Sequence, residues 1–226
     1  MSRRIGLIVP SSNTVAEVDF YRRLPEGFTL HTARMRLTET TPEGESVMLD
    51  EHLPGAIDDL ATARPHAVVF GCTSAGALRG NDYEAALVGR IAERTGAAAF
   101  SVAAAVRSAI RAAGARRVGV VTPYVDALNE KIARSLADDG LEVVAMHGLR
   151  ITDNFAIADV QPERIVDFAV ERLSGADIDL AFASCTNFRA FDAREEIERR
   201  LGVPVVTSNQ AALSAVLDHL RAAVAA

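Results

Sequence analysis

Two short apolar runs end at the only two cysteines of the chain. Ala67-Val68-Val69-Phe70-Gly71 leads to Cys72, and Leu180-Ala181-Phe182-Ala183-Ser184 leads to Cys185; a threonine follows each cysteine. Cys185 lies beyond Cys72 by half the length of the 226-residue chain. The same interval separates Arg4-Ile5-Gly6-Leu7-Ile8-Val9-Pro10 from Arg117-Val118-Gly119-Val120-Val121-Thr122-Pro123. One plan is therefore written twice. The period is far longer than the tens of residues typical of solenoids, so this is a duplication within one chain.

The runs also set the fold class. Ile5-Gly6-Leu7-Ile8-Val9 is continuously apolar, as a strand buried on both faces of a parallel sheet must be, and Pro10 ends it. Further strands are expected over residues 28–36, 67–71 and 97–100, then over 117–122, 141–146, 179–184 and 203–207. Helices are expected between them: from the Ser11-to-Thr14 cap signal to Leu24, over 46–63 with a break at Pro54-Gly55, over 83–95 and over 103–113. The second copy adds helices over 126–138, 162–173, 194–201 and 209–224. Gly96, Gly114 and Gly202 follow three of them, as helix-ending residues commonly do. Residues 37–45 and 150–160 read as loops. Alternating strands and helices imply an α/β fold. The expectation is two pseudo-symmetric halves, each a parallel four-stranded sheet flanked by helices, with the active site in the cleft between them. The first half spans 1–102 and the second 103–208, and the terminal helix 209–226 packs back on the first.

The net charge is −6 and no basic run exists, which argues against a nucleic-acid partner. Each apolar segment is interrupted too soon to cross a membrane, and Met1-Ser2-Arg3-Arg4 lacks a signal-peptide pattern. With nothing pointing to an oxidising compartment, a cytoplasmic location is expected. His31, His52, His66, His147 and His219 are scattered without ligand spacing, so no metal is expected. No dinucleotide fingerprint occurs, and Ala77 stands where a P-loop would need lysine, so no cofactor is expected.

In open parallel sheets, ligands bind outside the carboxyl ends of the strands. Four loops follow strands in equivalent places: Ser11 to Thr14, Cys72 to Gly76, Thr122-Pro123-Tyr124 and Cys185 to Asn187. The duplication predicts that they converge. Thiolate is the reactive form of cysteine, and a helix N-terminus lowers its pKa. Both cysteines sit at expected strand-to-helix turns, so both thiols are expected to be activated. The free N–H groups there, with Thr73, Ser74, Thr186 and Asn187, would hold a carboxylate, and the loop from Ser11 would expose hydroxyls and an amide to the same substrate-binding place. Tyr124 is a substrate donor or a wall of the cleft. Asn154, after Asp153, is a ligand or the cap of a turn.

These motifs resemble the aspartate/glutamate racemase superfamily, and within it the maleate cis-trans isomerases. The resemblance rests on Val9-Pro10-Ser11-Ser12-Asn13-Thr14, the two strand-end cysteines, Pro123-Tyr124 and Asp153-Asn154-Phe155-Ala156. It implies that Cys72 and Cys185 are catalytic and that Asn13, Tyr124 and Asn154 bind substrate carboxylates. It also implies a cofactor-free enzyme acting on a small carboxylate, as a homodimer or larger homo-oligomer. The chemistry would be addition of Cys72 thiolate to maleate, rotation about the former double bond, and elimination to fumarate. The chain departs from the isomerase pattern in placing Thr73-Ser74 and Thr186-Asn187 after the cysteines, where those isomerases carry apolar residues. Cys-Thr is more like amino-acid racemases, in which two thiols exchange a Cα proton. An amino-acid racemase or epimerase is therefore the alternative. Arylmalonate decarboxylases keep only the second cysteine, so Cys72 counts against that reaction. A binding protein that kept the cleft without the chemistry is the third reading.

Overall fold

The computed structural model describes residues 2–225; Met1 and Ala226, at the ends of the expected halves, lie outside the described residues. Strands β1 (Arg3–Pro10), β2 (Phe28–Met35), β3 (Ala67–Phe70) and β4 (Ala98–Ser101) form one sheet in the order β2-β1-β3-β4. Strands β5 (Arg117–Thr122), β6 (Glu142–Gly148), β7 (Leu180–Ala183) and β8 (Val205–Thr207) form the other in the order β6-β5-β7-β8. Every pairing is parallel. The expected two halves of four strands are observed. β3 and β7 are buried along their whole length, which is why they read as unbroken apolar runs. The strands that carry the conspicuous loops, β1 with β3 and β5 with β7, are the inner pair of each sheet.

The helices follow in chain order: α1 (Ala16–Arg23), α2 (Pro42–Val47), α3 (Leu53–Thr62), α4 (Thr73–Ala77), α5 (Asn81–Thr95), α6 (Val102–Ala112), α7 (Asp126–Ala137), α8 (Asn154–Ala158), α9 (Pro162–Leu173), α10 (Ala190–Leu201) and α11 (Ser208–Ala225). The helix expected over 46–63 is divided. α2 begins earlier, at a Thr41 cap whose hydroxyl accepts from Gly44 N at 3.1 Å. A π-helical turn, Met48–His52, then passes the chain to α3. Pro54 lies in the first turn of α3, where a missing N–H costs nothing, so the helix register resets there. The expected loops 37–45, 72–76 and 150–160 each contain helix: the start of α2, α4 and α8. α8 is capped by Asp153, whose carboxylate accepts from Phe155 N at 3.0 Å.

α11 lies against β3, β4 and α1 of the first half and against α6. Arg3 reaches from β1 to the Leu220 carbonyl at 2.5 Å, and Phe100 meets the His219 ring edge-on. Behind α4, Glu84 of α5 is fully buried. It accepts from Ser101 Oγ, from Ala104 N at 3.0 Å and from Arg107 at 2.6 Å, and Arg107 continues to Ser135 Oγ at 2.9 Å. Gly76 of α4 packs directly on this network: a Cβ there would lie 3.3 Å from Glu84 Oε1. Thus α4 rests on a fully paired polar cluster rather than a deformable apolar layer.

Close approach also explains Gly71, the residue before Cys72. A Cβ there would lie 2.8 Å from Val9 Cγ1 and 2.9 Å from the Ile8 carbonyl oxygen, inside the β1–β3 contact. We expect Gly71→Ala to cost about 2 kcal/mol through overpacking, read as a lower urea midpoint at unchanged slope.

Candidate active site

The four strand-end loops meet between the two sheets, joined by hydrogen bonds that cross from one half to the other. Asn13 is a buried cap: its Oδ1 accepts from Val15 N and Ala16 N at 3.1 and 2.9 Å, opening α1. Its Nδ2 donates to Thr186 Oγ1 at 3.0 Å, and that hydroxyl donates to the Gly71 carbonyl at 3.0 Å. Asn187 accepts from Thr14 N at 2.9 Å and donates to the Asn154 carbonyl at 2.5 Å. Asn154 donates through Nδ2 to Ser12 Oγ at 2.7 Å and accepts from Thr40 Oγ1 at 3.1 Å. Backbone bonds close the same seam, Thr40 N to Thr152 O at 2.7 Å and Asn154 N to Thr38 O at 3.1 Å. Each amide Nδ2 carries two hydrogens, so Asn13 and Asn154 each keep one beyond these bonds.

Ser11 is not brought into this network. It is exposed, and its hydroxyl is engaged with the Leu37 backbone, accepting from N at 3.0 Å. Its neighbour Ser12 makes the contact with Asn154 instead. Thr73 and Ser74 are buried in α4, and Thr73 Oγ1 donates to Ser208 Oγ at 2.9 Å. Ser208, the first residue of α11, also accepts from Cys185 N at 3.0 Å. The side chain of Asn209 donates to the Thr186 carbonyl at 3.0 Å. Ser208 and Asn209 carried no motif in the sequence; their position just after the last strand is the only signal that could have found them.

The two thiols sit differently, despite the repeat. Cys72 is the N-cap residue of α4, with φ −140° and ψ 113°. No helix follows Cys185 directly, since α10 starts only at Ala190. Instead Cys185 holds φ 118°, uncommon for a residue with a side chain, and the bond to Ser208 ties its N–H down. Its sulfur accepts from Asn187 N at 3.3 Å, and the nearby Tyr124 hydroxyl favours its ionised form. Cys72 Sγ lies 3.9 Å from Ser74 Oγ.

The expected activation of both thiols is not what the structure holds. Cys72 is 5% exposed and Cys185 4%. Burial pushes the Cys72 thiol well up, with the nearby Glu45 carboxyl next in importance, against the lowering by the Ala75 N–H. Burial likewise pushes Cys185 up to about 12, although the Tyr124 hydroxyl and the Asn187 N–H oppose it. Tyr124 is itself buried and raised, first by burial and then by the adjacent thiols. The amides are where the sequence placed them, but α4 is one turn long and desolvation outweighs it. In this closed arrangement both sulfurs are protonated. Glu45 was missed because Thr41-Pro42-Glu43-Gly44-Glu45 reads as an acidic loop. A threonine followed by proline is also a helix start, and that signal would have placed Glu45 on the inner face of α2.

Among the described residues no group of His, Cys, Asp and Glu side chains is placed to hold a metal ion. A cavity of about 430 Å³ lies between α5, β4 and α6, lined by Glu84, Val88, Phe100, Ala104 and Arg107 among others; neither cysteine lines it. The two thiols with their hydroxyl and amide donors are the better reactive centre.

A sequence model of the arylmalonate decarboxylase family matches residues 5–226. The chain belongs to this family. It is 34% identical to the arylmalonate decarboxylase of Bordetella bronchiseptica, over 92% of this chain and 86% of that one. It is 29% identical to the maleate isomerase of Geobacillus stearothermophilus, over 96% and 91%. The fold matches the maleate cis-trans isomerase of Nocardia farcinica at a TM-score of 0.90 and 28% identity, covering 98% of this chain and 94% of that one. That structure is a cysteine-to-serine mutant with a covalently bound succinylcysteine intermediate. The expected kinship with the maleate isomerases and the racemase-like superfamily thus holds, as does the expected α/β architecture. The family also includes the decarboxylases.

Burial of both sulfurs has a direct consequence. We expect a disulfide reagent such as dithionitrobenzoate to modify the folded protein at least about a hundredfold more slowly than the guanidinium-unfolded chain at the same pH. Rapid titration of two thiols in the folded protein would contradict the closed site.

Proposed function

We propose that the protein is a cofactor-independent, two-cysteine isomerase of a small dicarboxylic acid, converting maleate to fumarate through a covalent Cys72 adduct. The observation that carries this reading is the pair of buried thiols, one from each half, at strand ends that hydrogen bonds tie together across the two halves. The covalent succinylcysteine of the Nocardia farcinica isomerase supports the adduct. Cys72 sulfur adds to one alkene carbon, and the π electron pair moves onto the neighbouring carbon and its carboxylate. The central bond, now single, rotates. The pair returns, the C–S bond breaks, and fumarate leaves. Charge builds on a carboxylate oxygen during addition, where fixed donors in a dry site act strongly. The second Nδ2 hydrogens of Asn13, Asn154 and Asn187, and the backbone N–H groups of Thr73 and Ser74 at the start of α4, are the donors for this role. Tyr124 holds Cys185 by its hydroxyl, and Cys185 faces the adduct from the opposite half as its proton donor or support. Because both sulfurs are sealed from water, the site must open for substrate to enter. We also propose a cytoplasmic location and a homo-oligomer. No described helix is long and apolar enough to cross a membrane.

A racemase or epimerase acting on an acidic amino acid remains the second reading, favoured by the polar residues that follow both cysteines. Proton NMR in deuterium oxide separates the two. We expect maleate to give fumarate, and Cys72→Ala and Cys185→Ala each to lower the rate by about three orders of magnitude or more while the fold persists. Deuterium entering Cα of aspartate or glutamate, without fumarate from maleate, would transfer the assignment to the racemase.

A further inference from the structure

A nucleophile that rests as a buried thiol needs somewhere to leave its proton. The structure offers one route. Glu45 of α2 is fully buried, and Ser74 Oγ donates to its Oε1. Its Oε2 is buried without a hydrogen-bond partner among the described residues. Ser74 Oγ is also the hydroxyl that lies 3.9 Å from Cys72 Sγ. A single hydroxyl thus stands between the nucleophile and a carboxyl. A carboxylate removed from water and given only one donor is a strong base.

We propose that Glu45 takes the Cys72 proton through Ser74, so that the thiolate forms only inside the closed site. This rests on the nucleophilic role assigned to Cys72 above. The Cys72 S–H proton passes to Ser74 Oγ as the Ser74 O–H proton passes to Glu45 Oε1. The sulfur electron pair then forms the C–S bond and the alkene pair moves onto the substrate. When the double bond re-forms, the C–S bond breaks, and the thiolate recovers its proton from Glu45 by the reverse path. No oxidant or external base is consumed. Proton transfer within the pair leaves its single negative charge unchanged, so activation buries no additional ion.

The surroundings fit a base of this kind. Burial raises Glu45 to about 8, and the Ser74 bond works against that rise. The titratable groups facing it are Cys72, Cys185 and Tyr124, for each of which its charge is a raising influence. Glu43 on the same helix, Asp50 and Glu51 on the next turn, and Glu39 and Asp153 on the seam are exposed, with Asp50 paired to Arg79 and Asp153 capping Phe155 N. Glu45 does not touch the sulfur; it acts through Ser74. The five residues of α8, which follows β6 as α2 follows β2, include no acid, so the second copy of the plan supplies no counterpart of Glu45 there.

The test is the pH profile of Cys72 alkylation by iodoacetamide, resolved from Cys185 by peptide mass spectrometry, in the wild type, Glu45→Gln and Ser74→Ala. The pair must lose one proton before thiolate can form, so the wild-type rate should rise with pH through about 8. Glu45→Gln should move the inflection up by at least about one unit and slow the reaction at pH 8 at least about tenfold. Ser74→Ala should slow it similarly, because the carboxylate is still present but no longer connected. Were Glu45 only a buried negative charge, its removal would ease thiolate formation. Alkylation in Glu45→Gln as fast as in the wild type, or faster, therefore overturns the proposal, as does an unchanged rate in Ser74→Ala. Either variant decides the matter if the other fails to fold. Wild-type protein that shows this profile yet leaves maleate untouched at every pH would overturn the substrate assignment and leave the relay standing.

Discussion

The Ser208 hydroxyl accepts hydrogen bonds from Thr73 Oγ1 and Cys185 N, at 2.9 and 3.0 Å. Thr73 is the first residue of the helix that Cys72 caps, and Cys185 is the opposite thiol. One buried oxygen therefore joins the two halves directly beside the two thiols. It also holds Cys185 in a backbone conformation that a side-chain-bearing residue seldom adopts. Ser208 can do so because β8 delivers it to the cleft and α11 packs back on β3, β4 and α1. The bonds from Asn13 to Thr186 and from Thr186 to Gly71 repeat the device on the other side of the thiols.

A site closed in this way excludes water from two thiols, a phenol and a carboxyl together. Desolvation is then the largest influence on each of them. It disfavours every charged form, so below about pH 8 the resting site is neutral and inert. The same dryness strengthens each donor directed at a charge that appears only during reaction. An exposed thiolate would react with any electrophile in solution; a thiol that ionises only by internal transfer meets only what the closed cleft admits.

The duplicated plan is not symmetric in chemistry. Cys72 has a one-turn helix, a serine and a buried glutamate. Cys185 has a tyrosine, the Asn187 N–H and a strained backbone. A symmetric pair would be interchangeable, as suits proton exchange at two faces of one carbon. An asymmetric pair suits a division into a nucleophile and a partner. The polar residues after the cysteines, which in the sequence pointed toward racemases, are used here largely in holding the halves together: Thr73 on Ser208, Thr186 on Gly71, Asn187 on Asn154.

The strands, their repetition in two copies and the meeting of the cysteines were legible in the chain, because a buried parallel strand demands a continuous apolar run and a duplication repeats it at a fixed interval. Asn13, Tyr124 and Asn154 were legible through the motifs around them. Local sequence could not show how deep each group lies. Glu45, in a segment rich in acids, proline and glycine, looks like a surface residue until α2 turns it onto α4. Ser12 and Ser11 are indistinguishable until the seam takes one and leaves the other. The thiols were expected to be activated by helix ends, and their place at the ends of β3 and β7 is indeed a local property. Their protonation is decided by the two halves closing over them, since desolvation depends on every atom packed around a group and not on its neighbours along the chain.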